Sequence, residues 1–339
     1  MTATETAVIE KQPVDTIVPD YFSKTRRRTL FKNEPKERQL GPHGSSSSFL
    51  NSQGLRIASY YWPADGKVKA VVVFVHGHGA YLMHELLHIP TAGMPPQYSK
   101  SWVEVLNKAG FSVCGIDQQG CGFSEGLECY VERFHYYVDD VLQFARSLNS
   151  CTVKGFSGKQ MFIAGCSLGG CISVNAICRE GKLFKGAALF APMLSLERAS
   201  QHGLNYYLRP LAALLSYVWP TLPAASTTKN DQHPELQALW DEDPLCWHGA
   251  TRARVAHEYL LAAEAGLKAM NAYTFPFIVF HGGDDTLTDP DGSKKLYERS
   301  QSKDKTFRLM PGRWHVLLKE PGNDVILKEV ISWMTERVK

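Results

Sequence analysis

Short apolar runs recur along the chain from residue 70 onward and predict the strands of a sheet. Each run is apolar at consecutive positions, so a strand formed from it would bury both faces, as strands of a parallel sheet do. The predicted strands are Ala70–Val75, Phe111–Ile116, Met161–Ala164, Gly186–Ala191, Phe275–Phe280 and Thr306–Met310. The stretch from Phe49 to Trp62, which turns at 51–54, predicts a β-hairpin in front of them.

Helical patterns lie between several of the predicted strands. Apolar residues follow i, i+3, i+4 spacing from Phe134 to Leu148 and from Val325 to Met334. Strands that alternate with helices imply right-handed crossovers between parallel strands. The sequence therefore predicts an α/β fold with a doubly wound, mostly parallel sheet over residues 49–338.

Two segments depart from this alternation. Residues 1–48 show no sustained periodicity and predict a flexible arm, which ends in a linker from Gly41 to Ser48. The segment of about 194–254 is rich in Leu, Tyr, Trp and Pro and predicts an inserted helical lid. Apolar side chains between Leu204 and Trp219 would either form the core of this lid or provide a surface that rests on a bilayer.

The net charge of the 339-residue chain is concentrated in one segment. The whole chain carries +3 and Lys24–Arg38 alone carries +5, so the other residues carry −2. This balance argues against a basic surface for nucleic acid. The basic segment predicts either a solvated arm or a contact with anionic lipid, and hence peripheral association with membranes.

The cysteines and the apolar runs indicate the compartment. None of the eight cysteines lies in a Cys-x-x-Cys pair, and a chain of this size needs no disulfides, so we expect free thiols in the cytoplasm and no cysteine-rich zinc site. No apolar run approaches the roughly 18 residues of a membrane span. The first residues also lack the basic and apolar regions of a secretion signal.

The pattern Gly165-Cys166-Ser167-Leu168-Gly169 lies between a predicted strand and a helical pattern. G-x-S-x-G in this context predicts a nucleophile elbow, a tight and strained turn that exposes the serine. The following helix would point its N–H groups and dipole at the reacting centre. Ser167 is therefore the candidate nucleophile.

An acid and a histidine follow Ser167 in the chain order of an α/β-hydrolase triad. Asp284 and Asp285 follow one predicted strand, and His315 follows the next. Open α/β sheets gather functional groups at the carboxyl ends of their strands, and a histidine there could take the serine proton while an acid orients it. Spacing alone leaves both aspartates open. The glycine-rich turn from His76 to Gly79, after another strand, could offer an N–H group to an oxyanion.

Over about residues 49–338, the chain resembles the monoacylglycerol lipase and lysophospholipase group of α/β-hydrolases. This group is similar to the S33 serine aminopeptidases. The resemblance rests on HGHG (76–79), DQQGCGFSEG (117–126), GCSLGG (165–170), HGGDDTLTDP (281–290) and WHVLLKE (314–320). It implies that Ser167 is the nucleophile, Asp285 the acid and His315 the base. The oxyanion donors it implies are the N–H groups of His78 and Leu168.

The resemblance implies a serine hydrolase that cleaves carboxylic esters of monoacyl lipids through an acyl-enzyme, without a cofactor. Its substrate would be a small-molecule lipid ester of the monoacylglycerol or lysophospholipid type. Ala80, Cys166 and Leu318 stand where relatives often carry Glu, His and His, so the polar end of the pocket is not matched. A short-chain carboxylesterase of the same fold is the alternative, and a catalytically silent binding protein of this fold is a third hypothesis.

A second chemistry is suggested by the segment His84-Glu85-Leu86-Leu87-His88, which matches the H-E-x-x-H helix of zinc peptidases. Both histidines would have to project from one stable helical turn, and a third protein ligand would be needed. Pro90 follows two residues after the motif, which disfavours such a helix. A structural or surface role of the two histidines is therefore the favoured interpretation.

Overall fold

The computed structural model describes residues 37–196, 213–226 and 229–338. Eight strands form one sheet, in the order β1-β2-β4-β3-β5-β6-β9-β10, and two further strands pair in a small separate sheet. The strands are β1 (Ser45–Leu50), β2 (Arg56–Trp62), β3 (Ala70–Val75), β4 (Phe111–Ile116), β5 (Met161–Cys166), β6 (Phe184–Phe190), β7 (Pro223–Ala225), β8 (Thr251–Arg252), β9 (Phe277–Gly282) and β10 (Lys305–Met310).

The large sheet is mostly parallel, which confirms the predicted fold class. Only β1 with β2 and β2 with β4 pair antiparallel, whereas every pair from β4 through β10 is parallel. The six predicted parallel strands agree with the observed ones to within two residues at each end. One difference matters for the site, because β9 continues through His281 and Gly282 instead of ending at Phe280.

The predicted linker is wrong at its C-terminal end. Ser45 to Ser48 form the first part of β1 and pair with Tyr61 to Ala58 of β2. Serine has a low intrinsic preference for strands, but the backbone groups of an added edge strand gain a full ladder of hydrogen bonds from their neighbour. Pairing with β2 therefore extends the predicted hairpin toward the N-terminus.

Nine helices have both ends among the described residues, and residues 213–218 are also helical. The helices are α1 (Glu37–Leu40), α2 (Leu82–Leu86), α3 (Trp102–Lys108), α4 (Phe134–Ser147), α5 (Leu168–Arg179), α6 (Pro234–Asp241), α7 (Ala253–Ala269), α8 (Pro290–Arg299) and α9 (Asn323–Arg337). Among these residues, no helix is both long and apolar enough to cross a membrane.

Helices cover both faces of the sheet and create two cores. Val71, Val73 and Val75 of β3 point into one core, which they share with α4, α5 and α7. Val72 and Phe74 of the same strand point into the other core, which they share with α2, α3 and α9. Successive residues of a strand face opposite sides, so a strand covered on both sides must be apolar throughout. This explains the consecutive apolar runs in the sequence.

The long connection between β6 and β9 contains the segment predicted as a lid. It holds α6, the small β7–β8 sheet and the N-terminal part of α7, together with the helical residues 213–218. Residues 197–212, which include part of the apolar stretch from Leu204 to Trp219, lie outside the described residues. Most of the basic segment Lys24–Arg38 also lies outside them.

Candidate active site

Ser167 occupies a strained turn between β5 and α5. Its backbone has φ 51° and ψ −121°, a conformation that side-chain-bearing residues rarely adopt. The turn is possible because Gly165 and Gly169 approach each other closely. A Cβ atom on Gly165 would lie 2.4 Å from the carbonyl oxygen of Gly169, and one on Gly169 would lie 2.1 Å from that of Val75. Only glycine fits at either position, which gives the G-x-S-x-G spacing its physical basis.

The backbone on both sides of Ser167 is anchored to the sheet. Its N–H donates to the carbonyl of Phe190 in β6 (2.9 Å), and its carbonyl accepts the N–H of Met193 (2.8 Å). Helix α5 begins at Leu168, so the N–H of Leu168 has no carbonyl partner within the helix. The serine thus stands at the carboxyl end of β5 beside the positive end of a helix.

His315 and Asp285 are in contact at the ends of β10 and β9. Nδ1 of His315 lies 2.7 Å from Oδ2 of Asp285. Oδ1 of the same carboxylate accepts the backbone N–H groups of Leu287 and Thr288, at 2.8 and 2.9 Å. The side chain of Asp284 is exposed instead. Of the two adjacent aspartates, the structure therefore brings Asp285 to the histidine.

The charges of this pair stabilise each other. Burial alone would raise the pKa of Asp285, but the neighbouring imidazoles of His315 and His281 outweigh burial and lower it well below its usual range. Burial would likewise lower the pKa of His315, but the carboxylate of Asp285 outweighs this effect and raises it. The pair is therefore arranged to stabilise a protonated imidazole next to an ionised carboxylate.

Two further residues hold Asp285, and sequence reasoning assigned neither of them a role. Nε2 of His281 lies 3.1 Å from Oδ2 of Asp285, and Nδ1 of His281 lies 2.7 Å from the hydroxyl of Ser293. The hydroxyl of Thr288 donates to the same Oδ2 at 2.9 Å. His281 and Thr288 both lie within the HGGDDTLTDP motif, but their spacing along the chain does not reveal that they contact the same oxygen of Asp285.

The ring of His78 is fixed in the turn that follows β3. Its Nδ1 lies 2.9 Å from the hydroxyl of Tyr259, and its Nε2 lies 3.1 Å from the hydroxyl of Thr251. Burial lowers the pKa of this imidazole to about 4, so the ring is neutral near pH 7. Strand β8 and helix α7 therefore hold this turn through the side chain of His78.

The family described as "Serine aminopeptidase, S33" matches residues 93–322, which is more than half of the chain. The chain belongs to this hydrolase family. It is therefore an enzyme with the α/β-hydrolase fold, and the predicted resemblance is confirmed.

Individual relatives and solved structures agree with this assignment. The chain is 27% identical to the monoglyceride lipase of Rattus norvegicus over 88% of this chain and 92% of the relative. It is 25% identical to the caffeoylshikimate esterase of Arabidopsis thaliana, over 88% of this chain and 87% of that protein. The fold is similar to that of a soluble variant of the Saccharomyces cerevisiae monoglyceride lipase, solved with a substrate analogue, with a TM-score of 0.70 at 20% identity over 91% and 99% of the two chains.

The DQQGCGFSEG segment of this hydrolase (117–126) has a structural function. Oδ1 of Asp117 accepts the N–H of Leu82 at the start of α2 (2.9 Å). Oδ2 accepts the N–H of Phe123 (2.9 Å) and the hydroxyl of Tyr60 (2.8 Å). Burial raises the pKa of Asp117. One buried carboxyl group thus joins the turn after β4, strand β2 and helix α2.

The structure does not arrange the H-E-x-x-H segment as a zinc-peptidase helix. Helix α2 ends at Leu86, and the backbone at Leu87 is extended. The backbone of His88 pairs instead with Gln97, with N–H to carbonyl distances of 3.0 and 2.7 Å. His84 points toward Asp243, with Nδ1 3.1 Å from Oδ2. The two histidines therefore do not share one helical turn, and the zinc-peptidase hypothesis is not supported.

His84, Asp243 and Cys246 form a buried cluster, with one potential metal-ligand atom of each residue within 4.8 Å of the others. Asp243 is already engaged, because it also accepts the hydroxyl of Tyr81 at 2.8 Å. This cluster joins helix α2 to the segment that follows α6. It lies next to Glu85, the second residue of the motif, whose carboxylate accepts the N–H of Gly77 beside the nucleophile turn.

Proposed function

We propose that the protein is a serine hydrolase that cleaves the carboxylic ester of a monoacyl lipid through an acyl-enzyme. Ser167 is the nucleophile, His315 the general base, and Asp285 the acid that orients His315. The observation that carries the proposal is the contact of His315 with Asp285 (2.7 Å) in a fold that also holds Ser167 in a strained strand-to-helix turn. The chemistry of these residues needs no cofactor.

The contact between His315 and Asp285 supports the following sequence of steps. A carboxylate can only accept, so the proton on the His315 ring lies on Nδ1, and Nε2 is the atom that accepts the proton of Ser167. Oγ of Ser167 then bonds to the ester carbon, and the N–H groups of Leu168 and His78 receive the negative charge on the carbonyl oxygen. His315 returns its proton to the leaving alcohol, which leaves an acyl-enzyme. A water molecule that His315 deprotonates releases the acid and restores the serine.

A monoacylglycerol-type ester is the substrate class that the relatives support. Relatives named monoglyceride lipase include proteins from mammals, from Mycolicibacterium smegmatis and from yeast. The similarity to a caffeoylshikimate esterase shows that members of comparable identity act on other esters. A series of glycerol and p-nitrophenyl esters from C2 to C18 separates the two possibilities. We expect medium and long acyl chains to give the higher kcat/KM, whereas a maximum at C2 would favour a short-chain carboxylesterase.

Replacement of Ser167 tests the catalytic assignment. Ser167→Ala should fold normally and lose hydrolysis of p-nitrophenyl esters by several orders of magnitude, because no other group in the site replaces the nucleophile. A fluorophosphonate should label the wild type and the matched control Ser147→Ala, but not Ser167→Ala. Dialysis against EDTA should leave activity unchanged. Full activity of Ser167→Ala would refute the assignment.

We also propose that the protein acts in the cytoplasm and contacts membranes reversibly through the segment between β6 and β9. Leu214, Tyr217, Val218 and Trp219 lie in or directly after the helical residues 213–218, and each exposes more than half of its surface. Exposed apolar groups in one patch are costly in water and favour contact with a lipid surface. The basic segment Lys24–Arg38 would add an attraction to anionic lipid.

Vesicle co-sedimentation distinguishes the two contributions. The double variant Val218→Ser/Trp219→Ser should bind neutral vesicles at least tenfold more weakly, because burial of two large apolar side chains is lost. Val325→Ser is the matched control, since Val325 is also exposed but lies in α9. Binding through the patch should not depend on salt, whereas binding through the basic segment should weaken as salt rises. Equal binding of the double variant and the wild type would contradict the patch.

A further inference from the structure

The carboxylate of Glu85 lies beside the nucleophile turn. Its Oε2 accepts the backbone N–H of Gly77 at 3.3 Å. A Cβ atom on Gly77 would lie 3.6 Å from the same Oε2 and 3.4 Å from Cβ of Ser167, so Glu85 and the serine flank one glycine. The Cys166 thiol, immediately before the serine, lines the same glycine, since its Sγ would lie 3.6 Å from that Cβ atom. The carboxylate is therefore part of the wall around Ser167, although the catalytic steps do not use it.

Helix α2, which carries Glu85, is held in place on both sides. Leu82, at its start, donates its N–H to the buried Asp117, and His84 contacts Asp243 beyond α6. These contacts fix α2 between the sheet and the lid segment. Glu85 itself is only half-buried, so its carboxylate is positioned without being closed off from a ligand.

The alcohol part of the ester is the part of the substrate that faces Glu85. His315 must deliver its proton to the leaving alcohol, so that alcohol lies against His315 when the ester bond breaks. The negative charge of Glu85 is near enough to His315 to contribute to the raised pKa of that imidazole. The bond of Glu85 to the N–H of Gly77, which adjoins Ser167, and its effect on His315 together point to the leaving-group side of the site.

The charges around Glu85 are unevenly balanced. Glu85 and Asp243 supply two carboxylates, and Lys319 is the ammonium group among these neighbours. Its Nζ donates to the carbonyl of Leu87 at 3.1 Å. Burial lowers the pKa of His84, which favours its neutral form near pH 7. The surroundings of the leaving group are thus net negative, which favours hydroxyl donors and opposes a second anion.

We infer that Glu85 is a specificity residue that accepts a hydrogen bond from a free hydroxyl on the alcohol part of the ester and disfavours a phosphate there. The preferred substrate class is then the neutral polyol monoester, in preference to a lysophospholipid. This inference rests on the proposed function and adds the choice of leaving group. It also gives the H-E-x-x-H segment a role, since its glutamate recognises substrate although no zinc helix forms.

Three decanoyl esters test the inference with the full-length protein. They are 1-decanoylglycerol, propyl decanoate, which lacks the hydroxyls, and 1-decanoylglycerol 3-phosphate. Glu85→Ala should lower the ratio of kcat/KM for the glycerol ester over the propyl ester about 10- to 100-fold, the range expected for a hydrogen bond to a charged acceptor. Glu85→Gln keeps an oxygen acceptor, so this ratio should fall less. Its loss of negative charge should raise kcat/KM for the phosphate ester relative to the glycerol ester about tenfold or more.

Glu125→Ala is the matched control, because Glu125 is also half-buried and also accepts a backbone N–H, that of Arg56 at 2.9 Å. Its ester ratios should equal those of the wild type. Equal losses on the glycerol and propyl esters in Glu85→Ala would show that Glu85 only holds the turn at Gly77, and unchanged ratios in both Glu85 variants would also overturn the inference. If the wild type cleaves the propyl ester in these cases, the proposed function still stands. If the wild type cleaves none of the three esters, both proposals fail.

Discussion

Replacement of Asp285 by asparagine tests how His315 is kept ready to accept the serine proton. In the native site, Oδ1 of Asp285 accepts the N–H groups of Leu287 and Thr288, and Oδ2 lies 2.7 Å from Nδ1 of His315. The two backbone donors will hold the amide oxygen of the introduced asparagine, so its NH₂ group must face His315. Since that group donates, Nδ1 becomes the acceptor and the ring proton moves to Nε2. Nε2 can then no longer accept the proton of Ser167.

The expected loss is large and falls on kcat. A histidine held in the wrong tautomer, without the carboxylate that stabilises its protonated form, should slow the reaction about 1,000- to 10,000-fold, or by about 4–5.5 kcal/mol in the barrier. KM should change little, because Asp285 is 6% exposed and acts through His315. Steady-state hydrolysis of a p-nitrophenyl ester at pH 8 measures both constants, and thermal melting checks the fold.

The neighbouring residue provides the control for this experiment. Asp284 precedes Asp285 directly, but its side chain is exposed, so Asp284→Asn should retain kcat within a few-fold. A loss of less than tenfold in Asp285→Asn would refute the proposed orientation of His315. An equal loss in both variants would also refute it, since the effect would then not depend on contact with the histidine.

Three further predictions concern pH and packing. Since Asp285 raises the pKa of His315 and only the neutral ring can act as a base, kcat/KM should fall with decreasing pH at a midpoint above 6.5; a midpoint below 6 would contradict this. Burial raises the pKa of Asp140 to about 7. The folded state therefore favours the protonated carboxyl, and the stability gained from this preference is complete below pH 3.8 and is lost as pH rises through 7. Asp140→Asn should therefore have a free energy of unfolding about 2 kcal/mol higher than the wild type at pH 8. Denaturant titrations should show that this difference narrows toward pH 4. A difference that stays constant with pH would exclude the titration of Asp140 as its cause. Gly169→Ala should prevent folding or greatly reduce soluble expression and melting temperature, because the added Cβ would lie 2.1 Å from the carbonyl oxygen of Val75; a normal melting temperature would refute the close contact.

The main elements of the fold were predictable from local patterns along the chain. Strand β3 could be located from Ala70 to Val75 without error because a strand between two layers of helices must be apolar at every position. The glycines at 165 and 169 likewise indicated the nucleophile turn, since the turn geometry leaves no room for a side chain. Both signals are local, because they depend on residues that are neighbours along the chain.

The contacts between side chains that are distant along the chain depend on the tertiary fold. Spacing alone left Asp284 and Asp285 open, and the direction of the turn after β9 brings Asp285 to His315. The positions of His281 and Thr288 around the same carboxylate were also not visible in the pattern. Such contacts depend on how β9 and β10 lie beside each other in the sheet, and side-chain periodicity within one segment carries no information about that.

The H-E-x-x-H segment shows most clearly the difference between a local sequence pattern and the contacts that the fold creates. Its five letters match a zinc helix, and only the fold shows that α2 stops at Leu86 and that His88 pairs with Gln97 instead. A helix of five residues has too few internal hydrogen bonds to persist alone, so its end is set by the contacts around it. Residue types and their local spacing were thus readable from the chain, whereas the direction in which Glu85 and His84 point was decided by the packing of α2 between the sheet and the residues after α6.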